Sequence, residues 1–119
     1  MAKTLVLGAS LKPDRYSNFV INRLVNRGEE VVAFGIRAGQ VAGVNIDTTL
    51  VDYEALDTIT LYLSPKKQLD YYDYIVSLKP KRVIFNPGTE NPELYKILQE
   101  NGIESEIACT LVLLSTNQY

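Results

Sequence analysis

Short apolar runs alternate along the chain with stretches in which apolar residues recur every three to four positions, the signature of β-strands separated by helices. The first run, Lys3–Leu7, is continuous and stops at Gly8, as expected of a strand covered on both faces. From Asn18 to about Arg27, Val20, Ile21, Leu24 and Val25 share one helical face, with Ser17 as the expected N-cap and Gly28 just past the end. Glu30–Phe34 is the second strand and Thr58–Leu63 the third. Ser64-Pro65 then opens a helix, as N-cap and first-turn proline, that runs to about Leu78 with Leu69, Tyr72, Ile75 and Val76 toward the sheet. The fourth strand, Arg82–Phe85, halts at the turn-forming Asn86-Pro87-Gly88. Asn91-Pro92 starts a helix that stops before Gly102 and buries Leu94, Ile97 and Leu98. Glu104–Ile107 is the fifth strand, and Cys109 to about Ser115 is a last helix packing back on the sheet. Between Gly35 and Asp57 the pattern is broken by Gly39 and Gly43 and allows only a short helix near Tyr53–Leu56.

This alternation predicts an α/β protein with a mostly parallel sheet. At 119 residues the chain fits one domain, residues 1–119, and is too short for a second lobe carrying separate chemistry. With 46% apolar and 22% charged residues it is an ordinary globular sequence, and no stretch is long and apolar enough to span a bilayer, so no membrane partner is expected. Twelve basic residues against fourteen acidic ones give a net charge of -2, which offers no general attraction to a polyphosphate strand and argues against nucleic acid as a partner. Met1-Ala2-Lys3-Thr4 leads straight into the first strand without an export signal, and the single Cys109 agrees with a reducing compartment; both point to the cytoplasm. The chain contains no histidine, which removes the commonest general base and metal ligand. Neither a catalytic centre nor a metal site is expected.

In an open parallel sheet, ligands bind beyond the carboxyl ends of the strands, so the loops there carry the candidate chemistry. Gly8-Ala9-Ser10 leads through Leu11, Lys12, Pro13, Asp14, Arg15, Tyr16 and Ser17 to a helix start. Backbone amides at such a start can receive a phosphate oxygen, the missing side chain of Gly8 lets a diphosphate approach the main chain, and Arg15 can add a charge-assisted fork. The run is not a full G-x-G-x-x-G, because Ser10 replaces the second glycine and the third is missing; an ordinary tight turn uses the same residues. After the second strand, where an NAD site carries Asp or Glu for the ribose, this chain has Gly35-Ile36-Arg37. That suits a ribose bearing an extra phosphate, as in coenzyme A or NADP, unless Arg37 is simply a solvated loop cation. Ser64, Pro65 and Lys66 offer a second helix start with a cation beside it, although capping alone accounts for Ser64 and Pro65. Asn86, Pro87, Gly88 and Thr89 form a polar turn opening on the same crevice, with Pro87-Gly88 suited to the middle of a type II turn; a purely structural turn has the same residues. Cys109 is either activated by the dipole of the last helix or a small inert core residue. Tyr71, Tyr72 and Tyr74 cannot all face one sheet, so at least one is expected at the surface, as a subunit contact or as amphipathic packing.

Together, Gly8-Ala9-Ser10 with Pro13, Arg15 and Ser17 ahead of the first helix, a basic residue after the second strand, the small polar turn after the fourth and a cysteine near the C-terminus resemble a known family. They are similar to the small stand-alone CoA-binding domains, related to the N-terminal domain of the succinyl-CoA synthetase α subunit, over nearly the whole chain. The resemblance implies a Rossmann-like three-layer sandwich whose five parallel strands lie in the order 3-2-1-4-5, with the ADP part of coenzyme A across the first and second strand edges. It further implies that Gly8, Ala9, Ser10 and Ser17 line the diphosphate and that Arg15 neutralises it. Arg37 takes the basic position where the family more often has an Asn-Pro-Lys-like segment, and Asn86, Pro87, Gly88 and Thr89 border the pantetheine. The larger synthetases rely on a histidine in a second domain, and this sequence offers neither. The expectation is therefore non-catalytic binding of coenzyme A or an acyl-CoA by a monomer or weak homodimer. A small NADP-binding reductase and an interaction module that has lost its ligand are the other readings of the same residues.

Overall fold

The computed structural model describes residues 3–119. Its strands are β1 (Lys3–Leu7), β2 (Glu30–Phe34), β3 (Gly39–Val41), β4 (Val44–Asp47), β5 (Thr58–Leu61), β6 (Arg82–Phe85) and β7 (Glu104–Ile107). Its helices are α1 (Tyr16–Asn26), α2 (Pro65–Gln68), α3 (Tyr72–Leu78), α4 (Pro92–Glu100) and α5 (Thr110–Ser115), with a 3₁₀ turn at Leu69–Tyr71 joining α2 to α3. One sheet runs β3-β4-β2-β1-β5-β6-β7, parallel except for the β3–β4 hairpin. The central strands read as continuous apolar runs because both their faces are covered. Leu5, Leu7, Ile59 and Leu61 pack with Ile75 and Leu78 of α3 and Leu94 and Leu98 of α4. Val6 and Ala33, pointing the other way, pack with Val20, Ile21 and Leu24 of α1 and Leu114 of α5. Each such fully buried side chain contributes about 1.5–3 kcal/mol, which makes this two-sided burial the dominant stabilising term. Among the described residues no helix is long and apolar enough to cross a membrane.

The α/β class and the parallel sheet agree with the sequence, but the sheet has seven strands, not five, and the order 3-2-1-4-5 is overturned. Thr58–Leu61, the expected third strand, lies against β1 with Leu5 opposite Ile59, on the side away from β2. The outer side of β2 is taken by β4, with Phe34 opposite Asp47. The five expected strands therefore lie 2-1-3-4-5 in chain order. The cause is the hairpin hidden in Gly35–Asp57. Ala42 and Gly43 have φ of +50° and +81°, the left-handed pair a two-residue turn needs between Val41 and Val44. What reads as an interruption by glycine is the turn itself, and strands of three and four residues are too short to show a period of two.

Other elements shift by local chemistry. The short helix at Tyr53–Leu56 does not form: Ala55 has φ +56°, while Tyr53 and Leu56 are buried and the Tyr53 hydroxyl donates to the Asp47 carboxylate. α1 begins at Tyr16 with Arg15 in the cap position, so Ser17 lies inside the first turn rather than capping it. β5 stops at Leu61, two residues earlier than expected. The single helix expected from Pro65 to Leu78 is broken by its 3₁₀ turn, whose tighter winding rotates the buried stripe. Leu69 is consequently 57% exposed and Gln68 takes the inward position, fully buried. The same rotation tucks Tyr71, Tyr72 and Tyr74 against the core, none of them fully exposed, with the rings of Tyr71 and Tyr74 centred 5.6 and 6.5 Å from that of Phe34.

The buried tyrosines set the alkaline limit of the fold. Burial, followed by the carboxylates of Asp47 and Asp52, pushes the Tyr74 phenol up to about 12. Tyr53, Tyr62, Tyr72 and Tyr119 are also raised, burial being the largest cause in each. A phenol that ionises more readily in the unfolded chain favours unfolding once the pH passes its unfolded value of 10.0. Stability from these groups is thus complete below pH 10 and is expected to fall as pH rises from there toward 12. Denaturant midpoints measured across that range, with phenolate absorbance followed in parallel, check this; bulk phenolate formation in a still-folded protein would contradict it.

Candidate functional site

β1 has β2 on one side and β5 on the other. The chain leaving β1 enters α1 on one face of the sheet, and the chain leaving β5 enters α2 and α3 on the opposite face. The two loops therefore part and leave a crevice at the C-terminal edge, the place where open parallel sheets hold ligands. Because β2, β1, β5, β6 and β7 are mutually parallel, the loops following all five open on this edge.

The loop after β1 is built around close main-chain approaches. Gly8 has φ +98°, and the N–H groups of Gly8 and Ala9 both donate to the Phe34 carbonyl, at 3.0 and 2.8 Å, tying the turn to the end of β2. A Cβ at Gly35 would lie 2.4 Å from the Ala9 carbonyl oxygen, and one at Gly8 would lie 3.1 Å from the Tyr62 carbonyl carbon. These two glycines let three chain segments meet. Further along, the Lys12 amide donates to Ser10 Oγ at 3.1 Å, and the buried Asn18 donates from Nδ2 to the Ser10 carbonyl at 3.0 Å. Asn18 was missed by sequence reasoning. Its signal was a polar residue one turn ahead of Ile21 on the apolar face of α1.

At the start of α1, Arg15 accepts through its carbonyl from the Asn18 and Phe19 amides, at 3.0 and 3.2 Å, while its side chain makes no capping bond. The amides of Tyr16 and Ser17 find no acceptor among the described residues. Two backbone donors at the positive end of the helix dipole are thus left open to an anion. Pro13, Arg15 and Tyr16 are exposed and Ser17 is buried. Beyond β2, Gly35 is buried, its N–H donating to the Asp47 carbonyl at 3.0 Å, while Ile36 and Arg37 stand in solvent. The ion pairs among the described residues are Lys3–Glu30, Lys81–Asp57 and Arg82–Glu106, each anchored by a cation at the N-terminal end of a strand. The cations of the opposite edge, Lys12, Arg15, Arg37 and Lys66, have no carboxylate partner among the described residues. Ser64 caps α2 through its carbonyl, which accepts from Lys67 and Gln68 at 3.0 Å each; its hydroxyl makes no capping bond, and Ser64, Pro65 and Lys66 are exposed.

The turn after β6 faces two ways. Asn86 is 2% exposed; its Nδ2 donates to Thr60 Oγ1 at 2.8 Å and to the Leu61 carbonyl at 3.0 Å, and its Oδ1 accepts from the Thr110 amide at 2.8 Å. Thr89 is buried, donating from its hydroxyl to the Asn86 carbonyl at 2.7 Å. Gln68 donates from Nε2 to the carbonyls of Leu63 and Thr89, both at 2.8 Å, and its Oε1 accepts from Asn91. The side chains of Asn86 and Thr89 are thus spent inward, and the turn presents Pro87 and Gly88, the latter with φ +92°, to the crevice. Gln68 was also missed, because a polar residue in a predicted exposed position gives no sign of the 3₁₀ turn that buries it. Cys109 is half-buried at the cap of α5, next to Tyr62. Arg37 after β2 and Cys109 after β7 lie four strand spacings apart, about 19 Å at about 4.8 Å per strand, so the site is an extended rim rather than a closed pocket.

This architecture recurs among solved structures. A crystal structure of an uncharacterized protein is 51% identical in sequence, with a TM-score of 0.97 over 100% of this chain and 98% of that one. A conserved hypothetical protein from Pyrococcus furiosus is 27% identical, with a TM-score of 0.81 over 94% and 98%. An acetyl-coenzyme A synthetase from Ca. Korarchaeum cryptofilum, in complex with phosphate and ADP, is 18% identical. Its TM-score of 0.72 over 87% of this chain but 25% of its own is a likeness of fold alone. No functionally curated protein matches the sequence. The sequence model of the CoA binding domain family matches residues 2–115, and with that match spanning nearly the whole of a fold whose loops meet at one open edge, the chain belongs to the CoA-binding domain family.

Proposed function

We propose that this protein holds coenzyme A or an acyl-CoA along the C-terminal edge of its sheet, without catalysing a reaction on it. The observation that carries this reading is the uncapped start of α1, where the Tyr16 and Ser17 amides lack an acceptor and Arg15 lacks a carboxylate. A diphosphate supplies what both need. Gly8, Ala9, Ser10 and Ser17 form its bed. Ile36 and Arg37 receive the adenosine end, with the guanidinium on the ribose 3′-phosphate, and Ser64, Pro65 and Lys66 flank the crevice from the other side. Pro87 and Gly88 border the pantetheine, shaped from beneath by Asn86 and Thr89, and Cys109 lies toward the thiol end. Family membership supports the reading, and the synthetase that shares the fold was solved with phosphate and ADP.

Titration calorimetry with coenzyme A and with dephospho-CoA tests it. Coenzyme A is expected to bind below the millimolar range, and dephospho-CoA about tenfold or more weaker, the worth of one charge-assisted contact. Arg37→Ala should erase that difference and leave the affinity for dephospho-CoA unchanged. If neither compound binds better than millimolar, the reading fails. Equal binding of the two removes the role of Arg37 alone, and a preference for NADPH over coenzyme A would favour the reductase.

A further inference from the structure

β2 ends in Gly35-Ile36-Arg37, without a carboxylate of its own, but the sheet brings one beside it. β4 pairs with β2 so that Asp47 stands opposite Phe34, and the Gly35 amide donates to the Asp47 carbonyl at 3.0 Å. Paired residues of neighbouring strands share a face, so Asp47 projects on the side of Phe34, toward α3. Its half-buried carboxylate is held there through Oδ2, which accepts from the hydroxyl of Tyr53, a residue only 8% exposed. Among the described residues, Oδ1 accepts no hydrogen bond and the carboxylate has no cation partner. One oxygen is fixed by the protein and the other is left over.

The two faces above the end of β2 differ. On the α1 face the loop after β1 closes the space: a Cβ on Gly35 would meet the Ala9 carbonyl oxygen at 2.4 Å and the Ile46 side chain at 3.1 Å, and one on Gly39 would meet the Leu11 side chain at 2.6 Å. Ile46 and Val41, beside these glycines, belong to the cluster under α1. A ligand that runs from the start of α1 across the end of β2 therefore passes on the α3 face, by way of Asp47. Arg37, two residues past Gly35, is exposed and pairs with no carboxylate among the described residues, Asp47 included. A spare carboxylate oxygen and a spare guanidinium at one strand end fit a group that carries a hydroxyl and a phosphate on neighbouring carbons. We propose that Asp47 accepts a hydrogen bond from the ribose 2′-hydroxyl of the ligand, next to the 3′-phosphate assigned to Arg37. The site then selects a 3′-phosphorylated ribonucleotide with a free 2′-hydroxyl, since a 2′-phosphate, as in NADP, would meet the carboxylate with like charge. This inference rests on the reading of the C-terminal edge as a coenzyme A site.

Titration calorimetry of the full chain with coenzyme A and with 2′-deoxy-coenzyme A tests it. Coenzyme A is expected to bind about tenfold tighter than the 2′-deoxy compound, the worth of one hydrogen bond to a charged acceptor. Asp47→Ala should bring the two affinities together by weakening coenzyme A alone, and it should keep the preference for coenzyme A over dephospho-CoA that belongs to Arg37. A loss of both ligands in equal measure would mark Asp47 as a structural support of Tyr53 and overturn the proposal. Where Asp47→Ala does not fold, the double variant with Tyr53→Phe removes the unpaired phenol and is held to the same outcome. The wild type alone is decisive without any variant: coenzyme A bound below the millimolar range and the 2′-deoxy compound bound equally well overturns this proposal and leaves the coenzyme A reading standing. If neither binds better than millimolar, that reading fails and this one with it.

Discussion

Replacing Asn86 with alanine is expected to lower the stability of the protein by about 3 kcal/mol, more than any other single polar substitution near the ligand edge. The side chain joins three elements that have no covalent proximity: it donates to β5 at Thr60 and Leu61 and accepts from the first amide of α5 at Thr110. Thr60 and Thr110, both fully buried, share a further hydrogen bond of 2.9 Å. Alanine leaves the Thr110 N–H and one lone pair each on Leu61 and Thr60 in an interior with no replacement partner. Asn86→Asp is no remedy, since a buried carboxylate would face the Leu61 carbonyl, and it is expected to cost at least as much. A urea midpoint that falls with an unchanged slope measures the effect. A loss of less than about 1 kcal/mol would mean that Asn86 is not the tie described. Loss of coenzyme A binding without loss of stability would instead assign the side chain to the ligand.

Gly35→Ala should strike stability and ligand together. Its added Cβ would lie 2.4 Å from the Ala9 carbonyl oxygen, a backbone atom that moves only if the turn after β1 moves. The hydrogen bonds from the Gly8 and Ala9 amides to Phe34 hold that turn, and they must stretch. Overpacking of this kind costs about 2–3 kcal/mol. Because the displaced turn is the bed proposed for the diphosphate, coenzyme A affinity in the folded variant is expected to fall tenfold or more. Gly43→Ala is the matched control. Nothing lies within 4 Å of its Cβ position, so only the strain of φ +81° is paid, about 1–2 kcal/mol, and ligand affinity should stay as it was. If Gly35→Ala binds as tightly as the wild type, the close packing of the two loops has no part in recognition.

The features readable in advance were those whose cause is local. Asn91-Pro92 reads as a helix start, and it is one: Asn91 Oδ1 accepts from the Leu94 amide at 3.4 Å and Pro92 opens α4. The turn at Asn86-Pro87-Gly88 and the run of Lys3–Leu7 were legible for the same reason. Where sequence reasoning failed, the deciding partner was remote. Asn18 is polar on an apolar face, which makes sense only once the Ser10 carbonyl is beside it. Gln68 is buried because Leu63 and Thr89 offer it two carbonyls. Gly39 and Gly43 looked like loop residues, but Gly43 completes a hairpin whose second strand is held by β2 and whose first is held by the second, not by their own pattern.

By itself the sequence determined the alternation of strands and helices, the glycines and helix starts that gather at one sheet edge, and the absence of histidine. Those properties depend on residue type and on neighbours within a turn or two. Only the tertiary structure decided that β5 lies beside β1, that β4 takes the outer side of β2, and that the amides at the start of α1 are left without acceptors. It also decided that the side chains of Asn86 and Thr89 turn inward while Pro87 and Gly88 face out. Each of these is settled by which strand edge or buried carbonyl a group meets across long separations in the chain, and spacing along the sequence carries no record of that choice.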